Sequence, residues 1–204
     1  MSFIQNLLPD NILITAVCLL LTIVAHELAH GGAALLMGDT TAKDAGRLSL
    51  NPIKHMDPLG TLSLLFFRFG WAKPVPINPN RFRNRKAGML FVSAAGAGMN
   101  LLLATVSVGL FIYTGNKHPL WAEFLQLMIL YNVYFAVFNL LPFPPLDGSK
   151  IVFSFLPVQM ERKVYQYQRY FYIILVIFVF SGALQRILVP AANAIIRFLV
   201  GLFL

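Results

Sequence analysis

The sequence has almost no cysteine and little charge. Its single cysteine, Cys18, rules out an intramolecular disulfide framework. Only 12% of the 204 residues are charged, against about 25% in ordinary soluble domains, while 58% are hydrophobic. That balance excludes a soluble globular domain and points to one integral membrane domain with several spans. No Lys or Arg precedes Lys43, so the first apolar run lacks the charged leader of a cleavable signal peptide. Acidic residues are scarce too, leaving a net charge of +8. Such a charge suits nucleic acid in principle, but the basic residues gather in one loop beside the spans. Orientation in a membrane accounts for them, and no nucleic-acid partner is expected.

What the chain does contain is an apolar stretch, residues 12–37, carrying His26-Glu27-Leu28-Ala29-His30 at membrane depth. Ionisable residues in lipid are costly to desolvate, which makes them functional candidates by default. On a helix His26 and His30 project from one face, a turn apart, the spacing two imidazoles need to grip one Zn²⁺. Glu27 points about 100° away, off the metal and free to act as general base toward an attacking water. With so few His and Glu residues, chance writes this pattern about once in a thousand such chains. A pair of packing histidines with a buried Glu would leave that Glu in need of a partner.

Small residues Gly31, Gly32, Ala33 and Ala34 follow, suited to close helix packing. The connection 38–86 then holds Lys43, Arg47, Lys54, Arg68, Lys73, Arg81, Arg83, Arg85 and Lys86 against Asp39, Asp44 and Asp57. By the positive-inside rule it is cytoplasmic, which puts the N-terminus outside and the motif about 12 Å below the cytoplasmic end of its span. Within it, 62–67 is apolar but too short to cross, and Lys73-Pro74-Val75-Pro76 reads as extended chain. Residues 61–79 are read either as a membrane-dipping hairpin, whose free edge takes a substrate strand, or as a greasy loop over helix ends.

The next spans are expected at about 87–113 and 120–141. The first opens with Ala94-Ala95-Gly96-Ala97-Gly98, a close-packing face rather than a phosphate loop. Asn100 there serves either a packing hydrogen bond or the site. Asn132 and Asn139 are seven residues apart and share a helix face. Pro142-Phe143-Pro144-Pro145-Leu146-Asp147-Gly148 stops the third span abruptly. Counting crossings, Asp147 returns to the cytoplasmic end where His26 and His30 lie. A catalytic zinc site needs a third protein ligand and an open position, and besides Glu27 only Asp147 is placed to supply it; the alternative is an Asp that merely caps the turn. A fourth span is expected at about 170–188, broken by Pro190, with 191–204 an interfacial or packed C-terminal helix.

The two motifs together, His26-Glu27-x-x-His30 and Asn139-Leu140-Leu141-Pro142-x-Pro144-Pro145-Leu146-Asp147-Gly148, resemble the site-2 protease family of intramembrane zinc metalloproteases. The compact bacterial subgroup without a PDZ insert is similar also through Gly46-Arg47-Leu48-Ser49-Leu50-Asn51-Pro52, His55-x-Asp57-Pro58 and Gly70-Trp71-Ala72-Lys73-Pro74-Val75-Pro76. The resemblance implies an all-α polytopic fold of about four transmembrane helices with a three-helix catalytic core. It implies one Zn²⁺ per chain on His26, His30 and Asp147, with Glu27 as general base. Asn139 matches the family's Asn before the Pro-rich turn, which implies substrate-backbone or oxyanion support. Substrates would be transmembrane segments of membrane proteins, cut within or near the bilayer. Residues 1–204 then form a single integral membrane peptidase domain in the cell membrane, with a core at about 12–150 and a C-terminal span and helix in 151–204. His55 fits either a hydrogen bond within the cytoplasmic loop or a place as an alternative or supporting ligand at the metal. A structural zinc site would be closed and rich in Cys, unlike this one.

Overall fold

The structure, a computed structural model, describes residues 12–58, 60 and 73–204. In chain order its helices are α1 (Ile12–Leu36), α2 (Thr41–Asp44), α3 (Arg85–Thr114), α4 (Pro119–Leu140), α5 (Asp147–Ser154), α6 (Val158–Gln166), α7 (Gln168–Phe180) and α8 (Ala183–Gly201). Four of them, α1, α3, α4 and α8, are long and apolar enough to cross a membrane. Even the 19 residues of α8 rise about 28 Å at 1.5 Å each, close to a ~30 Å hydrocarbon core. Leu13, Leu21, Leu102, Val106 and Leu110 stand exposed on the outward faces. Apolar surface of that extent belongs against lipid rather than water.

Local chemistry sets the helix ends. The Asn84 side chain accepts from the Ala87 N–H at 3.1 Å and caps α3, while Pro119 opens α4 where its missing N–H has no partner to lose. Helix α3 lies at the centre, packed along α1, α4 and α5, and α1 also meets α4. Small residues make this approach possible: Gly96, Ala97 and Ala104 of α3 and Ala33 and Ala34 of α1 are buried. Cys18 packs with Leu127 and Met128 as a small buried residue.

The C-terminal third corrects one expectation. The fourth crossing is not 170–188 ending at Pro190. Helix α7 spans 13 residues, about 20 Å of rise, and ends where Gly182 turns the chain with φ of 75°. Helix α8 then runs straight through Pro190. A proline inside a helix removes one backbone bond, but Ala192 and Leu199 beyond it are buried against Ala104, Val108, Val133 and Val137. Packing on α3 and α4 holds the helix together past the break, as membrane helices allow.

The predicted 61–79 hairpin falls largely outside the described residues. Its last part, residues 73–78, is extended and non-helical, as the alternating prolines dictate. Four hydrogen bonds tether it. The Lys73 N–H donates to the His55 carbonyl (2.8 Å) and the Arg47 guanidinium to the Lys73 carbonyl (2.7 Å). The Val75 N–H donates to Glu27 Oε2 (2.7 Å), and the Asn78 N–H to Asp39 Oδ2 (2.6 Å). Asp39 is fully buried just beyond α1 and also accepts from the Thr41 N–H and hydroxyl. Burial opposes its ionisation, yet the hydrogen bonds from Thr41 and Asn78 and the nearby Arg81 hold its carboxyl below the usual range.

Candidate metal centre

Helix α1 presents His26 and His30 on one face, and both are buried. Their Nε2 atoms stand 2.9 Å apart with the rings edge to face. Asp147 Oδ2 completes a triangle, 3.2 Å from His26 Nε2 and 2.9 Å from His30 Nε2. Asp147 reaches this point because the chain reverses between α4 and α5. Gly148 permits the reversal: a Cβ there would sit 2.2 Å from the Leu140 carbonyl oxygen, so no other residue fits.

Helix α3 sets the protonation of both imidazoles. The His30 Nδ1–H donates to the Val92 carbonyl at 2.7 Å, and the His26 Nδ1–H to Asn100 Oδ1 at 2.6 Å. Between them Gly96 leaves the space the rings occupy, since a Cβ there would lie 2.4 Å from His30 Nε2 and 2.5 Å from His26 Cε1. With each proton on Nδ1, two Nε2 lone pairs and a carboxylate oxygen converge on one small volume. Three acceptors at such separations repel one another unless a cation lies among them. Ligand atoms at ~2.0–2.1 Å around one tetrahedral ion stand about 3.3–3.4 Å apart, and the separations here, 2.9, 2.9 and 3.2 Å, are a few tenths of an ångström shorter. The donor set fits a zinc ion.

Lys150, one turn along α5, donates to the other carboxylate oxygen, Asp147 Oδ1, at 2.8 Å and leaves Oδ2 for the shared volume. Burial works against the Asp147 charge, and the Lys150 ammonium beside it favours the ionised form. A cavity of about 410 Å³ opens beside the triangle, lined by His30, Asp147, Lys150, Val75, Ile77 and Met89 among others. That volume lies within the range of ligand sites. Among the described residues, His26, His30 and Asp147 are the group of potential metal ligands close enough to share an ion.

The remaining expected residues are placed as follows. Glu27 is partly buried, off the imidazole face, its carboxylate held by the Val75 N–H. Asn139 donates to the Phe135 carbonyl of its own helix at 3.0 Å and does not line the cavity. His55 is buried outside the triangle, with Nε2 2.8 Å from the Ser49 carbonyl, which matches the loop hydrogen bond among its two readings. Sequence reasoning missed Lys150, although its place three residues after Asp147 on a helix was a usable signal. It also missed the Val92 carbonyl and the Val75 N–H, backbone groups that no side chain advertises.

Two helix-borne imidazoles, an inward carboxylate and a neighbouring glutamate among membrane-length helices define a membrane metallopeptidase. A family model described as "Peptidase family M50" matches residues 110–182. "Putative zinc metalloprotease YwhC" of Bacillus subtilis (strain 168) is 37% identical over 186 residues, 87% of this chain and 85% of that protein. Rip2 of Mycolicibacterium smegmatis, named in the same way, is 28% identical over 82% of this chain and 66% of its own length. Rip2 of Mycobacterium tuberculosis (strain ATCC 25618 / H37Rv) is 29% identical over 70% of this chain and 57% of its own. No solved structure matches at a significant level. The chain belongs to peptidase family M50, the site-2 proteases. It is a zinc metalloprotease with several membrane-spanning helices.

Proposed function

We propose that the protein hydrolyses peptide bonds within or near the transmembrane segments of membrane proteins, using His26, His30 and Asp147 as zinc ligands and Glu27 as general base. One observation carries this reading: the donor triangle is buried among membrane-length helices, with a cavity beside it at the end where basic residues collect. A substrate of a site so placed must itself reach into the bilayer. Arg81 and Arg83 precede α3, Arg85 and Lys86 open it, and Lys150 follows α4, which supports a cytoplasmic position for that end and an external N-terminus.

A zinc ion held by His26, His30 and Asp147 would supply a Lewis acid for the scissile carbonyl and for an attacking water. Glu27 takes the proton from that water and returns it to the leaving amine. Its carboxylate oxygen stays oriented because the Val75 N–H holds it. Lys150 neutralises the outer oxygen of Asp147 and leaves Oδ2 to hold an ion. Asn139 is assigned to the developing oxyanion, which requires its amide to leave the Phe135 carbonyl when substrate binds. The extended residues 75–77 wall the cavity and offer a surface for an unwound substrate segment.

The test is zinc quantification on purified protein together with cleavage of a panel of single-span peptides by wild type and Glu27→Gln. Zinc near one equivalent, with cleavage only by wild type, supports the proposal. Cleavage that survives Glu27→Gln overturns the assignment.

A further inference from the structure

Behind the donor triangle, a chain of buried amides crosses the three-helix core. Asn100 Nδ2 donates to the Thr22 carbonyl (3.1 Å) and to Asn132 Oδ1 (2.8 Å). Asn132 Nδ2 donates to the Met128 carbonyl (2.9 Å) and to Thr22 Oγ1 (3.0 Å). Asn100 and Asn132 are completely buried and Thr22 nearly so. From these contacts we infer that Asn132 is a remote positioning residue for the metal site, dictating through Asn100 which nitrogen of His26 faces the ion. This inference rests on the proposed ligand set.

An amide is asymmetric, with one donating end and one accepting end. A backbone carbonyl only accepts. The Met128 carbonyl therefore faces Asn132 Nδ2, which leaves Asn132 Oδ1 toward Asn100. Asn100 then meets two acceptors, Asn132 Oδ1 and the Thr22 carbonyl, and must turn Nδ2 to both. Its Oδ1 is thereby aimed at His26 Nδ1, 2.6 Å away. An oxygen at that distance requires the proton on Nδ1, so the lone pair lies on Nε2, in the triangle with His30 and Asp147.

The reverse arrangement fails at every link. Turning the Asn100 amide over would set its oxygen against the Thr22 carbonyl and Asn132 Oδ1, and would put the His26 proton on Nε2, where no metal could bind. A packing amide needs no such direction. Here the orientation starts at a backbone carbonyl on α4, passes through two side chains, and ends at a nitrogen on α1. Without Asn132, the Thr22 carbonyl alone holds the Asn100 amide.

Asn132 hydrogen-bonds to Asn100, Thr22 and Met128 rather than to an imidazole and does not line the cavity, so its effect on zinc can be separated from direct ligation. The experiment uses the full chain in detergent. It measures zinc affinity by competition with a chelator, the melting temperature of the metal-free protein, and the visible spectrum of the Co²⁺-loaded form. Asn132→Leu removes the acceptor for Asn100. It is expected to weaken zinc binding about 10-fold or more, within the usual range for groups that orient a ligand, and to alter the Co²⁺ spectrum. Asn132→Asp keeps an acceptor for Asn100 and, protonated, a donor for Met128, so it should recover most of the affinity. If Asn132→Leu does not fold, Asn132→Ala carries the same expectation. Wild-type affinity in either folded variant, or equal losses in Asn132→Asp and Asn132→Leu, overturns the inference. So does a drop in metal-free melting temperature with zinc affinity unchanged. His30→Ala serves as the control: if it binds zinc like wild type, the ligand set itself fails, and that outcome differs from failure at Asn132 alone.

Discussion

The Val75 N–H donates to Glu27 Oε2 at 2.7 Å, joining the extended segment to the catalytic-motif helix across 48 residues of sequence. Val75 stands between Pro74 and Pro76, so it is the one residue of that tripeptide with an N–H to give. Val75→Pro deletes that donor in a stretch already committed to extended backbone. Zinc content should stay at the wild-type level, because no ligand is touched. Cleavage should fall by about 10- to 100-fold as the base loses its fixed orientation. Single-turnover cleavage beside zinc quantification checks both, and an unchanged rate would show that the contact has no part in catalysis.

The proposed ligands and the proposed base should separate cleanly by metal content. Glu27→Gln removes the proton acceptor but leaves the triangle, so zinc remains and cleavage is lost. His30→Ala and Asp147→Ala each open the triangle, so both zinc and cleavage should go. Lys150→Met keeps all three ligands but frees Asp147 Oδ1, and an intermediate loss of zinc affinity, about 10-fold, is expected. Metal analysis after dialysis against a weak chelator ranks the four variants. Full zinc in Asp147→Ala would remove that residue from the site.

The parts of this arrangement that were legible in the sequence are those carried by side chains at fixed spacing. His26 and His30 share a face by helix geometry. Asp147 reaches the same end through two further crossings and a proline-rich stop, and the structure brings the three together. Pro190 misled because its local cost was weighed without the packing of Ala192 and Leu199 against α3 and α4. Asn100 was ambiguous because a lone amide in a helix does not reveal its partner, which lies 74 residues away on α1. The backbone partners of His30 and Glu27 left no trace at all, since every residue offers the same groups.

Asp39 gives a prediction outside the membrane. Its folded-state pKa is lowered, so its contribution to stability is complete above the unfolded value of about 3.9 and disappears as pH falls through the lower folded value. Asp39→Ala leaves the Asn78 and Thr41 N–H groups without their acceptor, at a cost of about 1–3 kcal/mol near neutral pH. The melting temperatures of wild type and variant should therefore differ most above pH 4 and converge below it. A gap that stays constant down to pH 2 would show that the charge on Asp39 is not what holds residues 73–78 to α1.

Gly96 is where a single methyl group should disable the enzyme without removing any functional atom. A Cβ at this position would lie 2.4 Å from His30 Nε2 and 2.7 Å from His26 Nδ1, well inside contact distance. Neither ring can retreat easily, because each is tied through Nδ1 to α3 itself, at Val92 and Asn100. Either α1 and α3 separate or the imidazoles rotate out of the triangle. Both disturb a geometry that metal ligation demands to within a few tenths of an ångström. Gly96→Ala should thus lose zinc affinity by 100-fold or more, on the order expected when ligand orientation is lost. Gly98→Ala, where a Cβ meets nothing within 4 Å, should bind zinc like wild type. Equal zinc affinity in the two variants would mean that α3 does not crowd the imidazoles at Gly96.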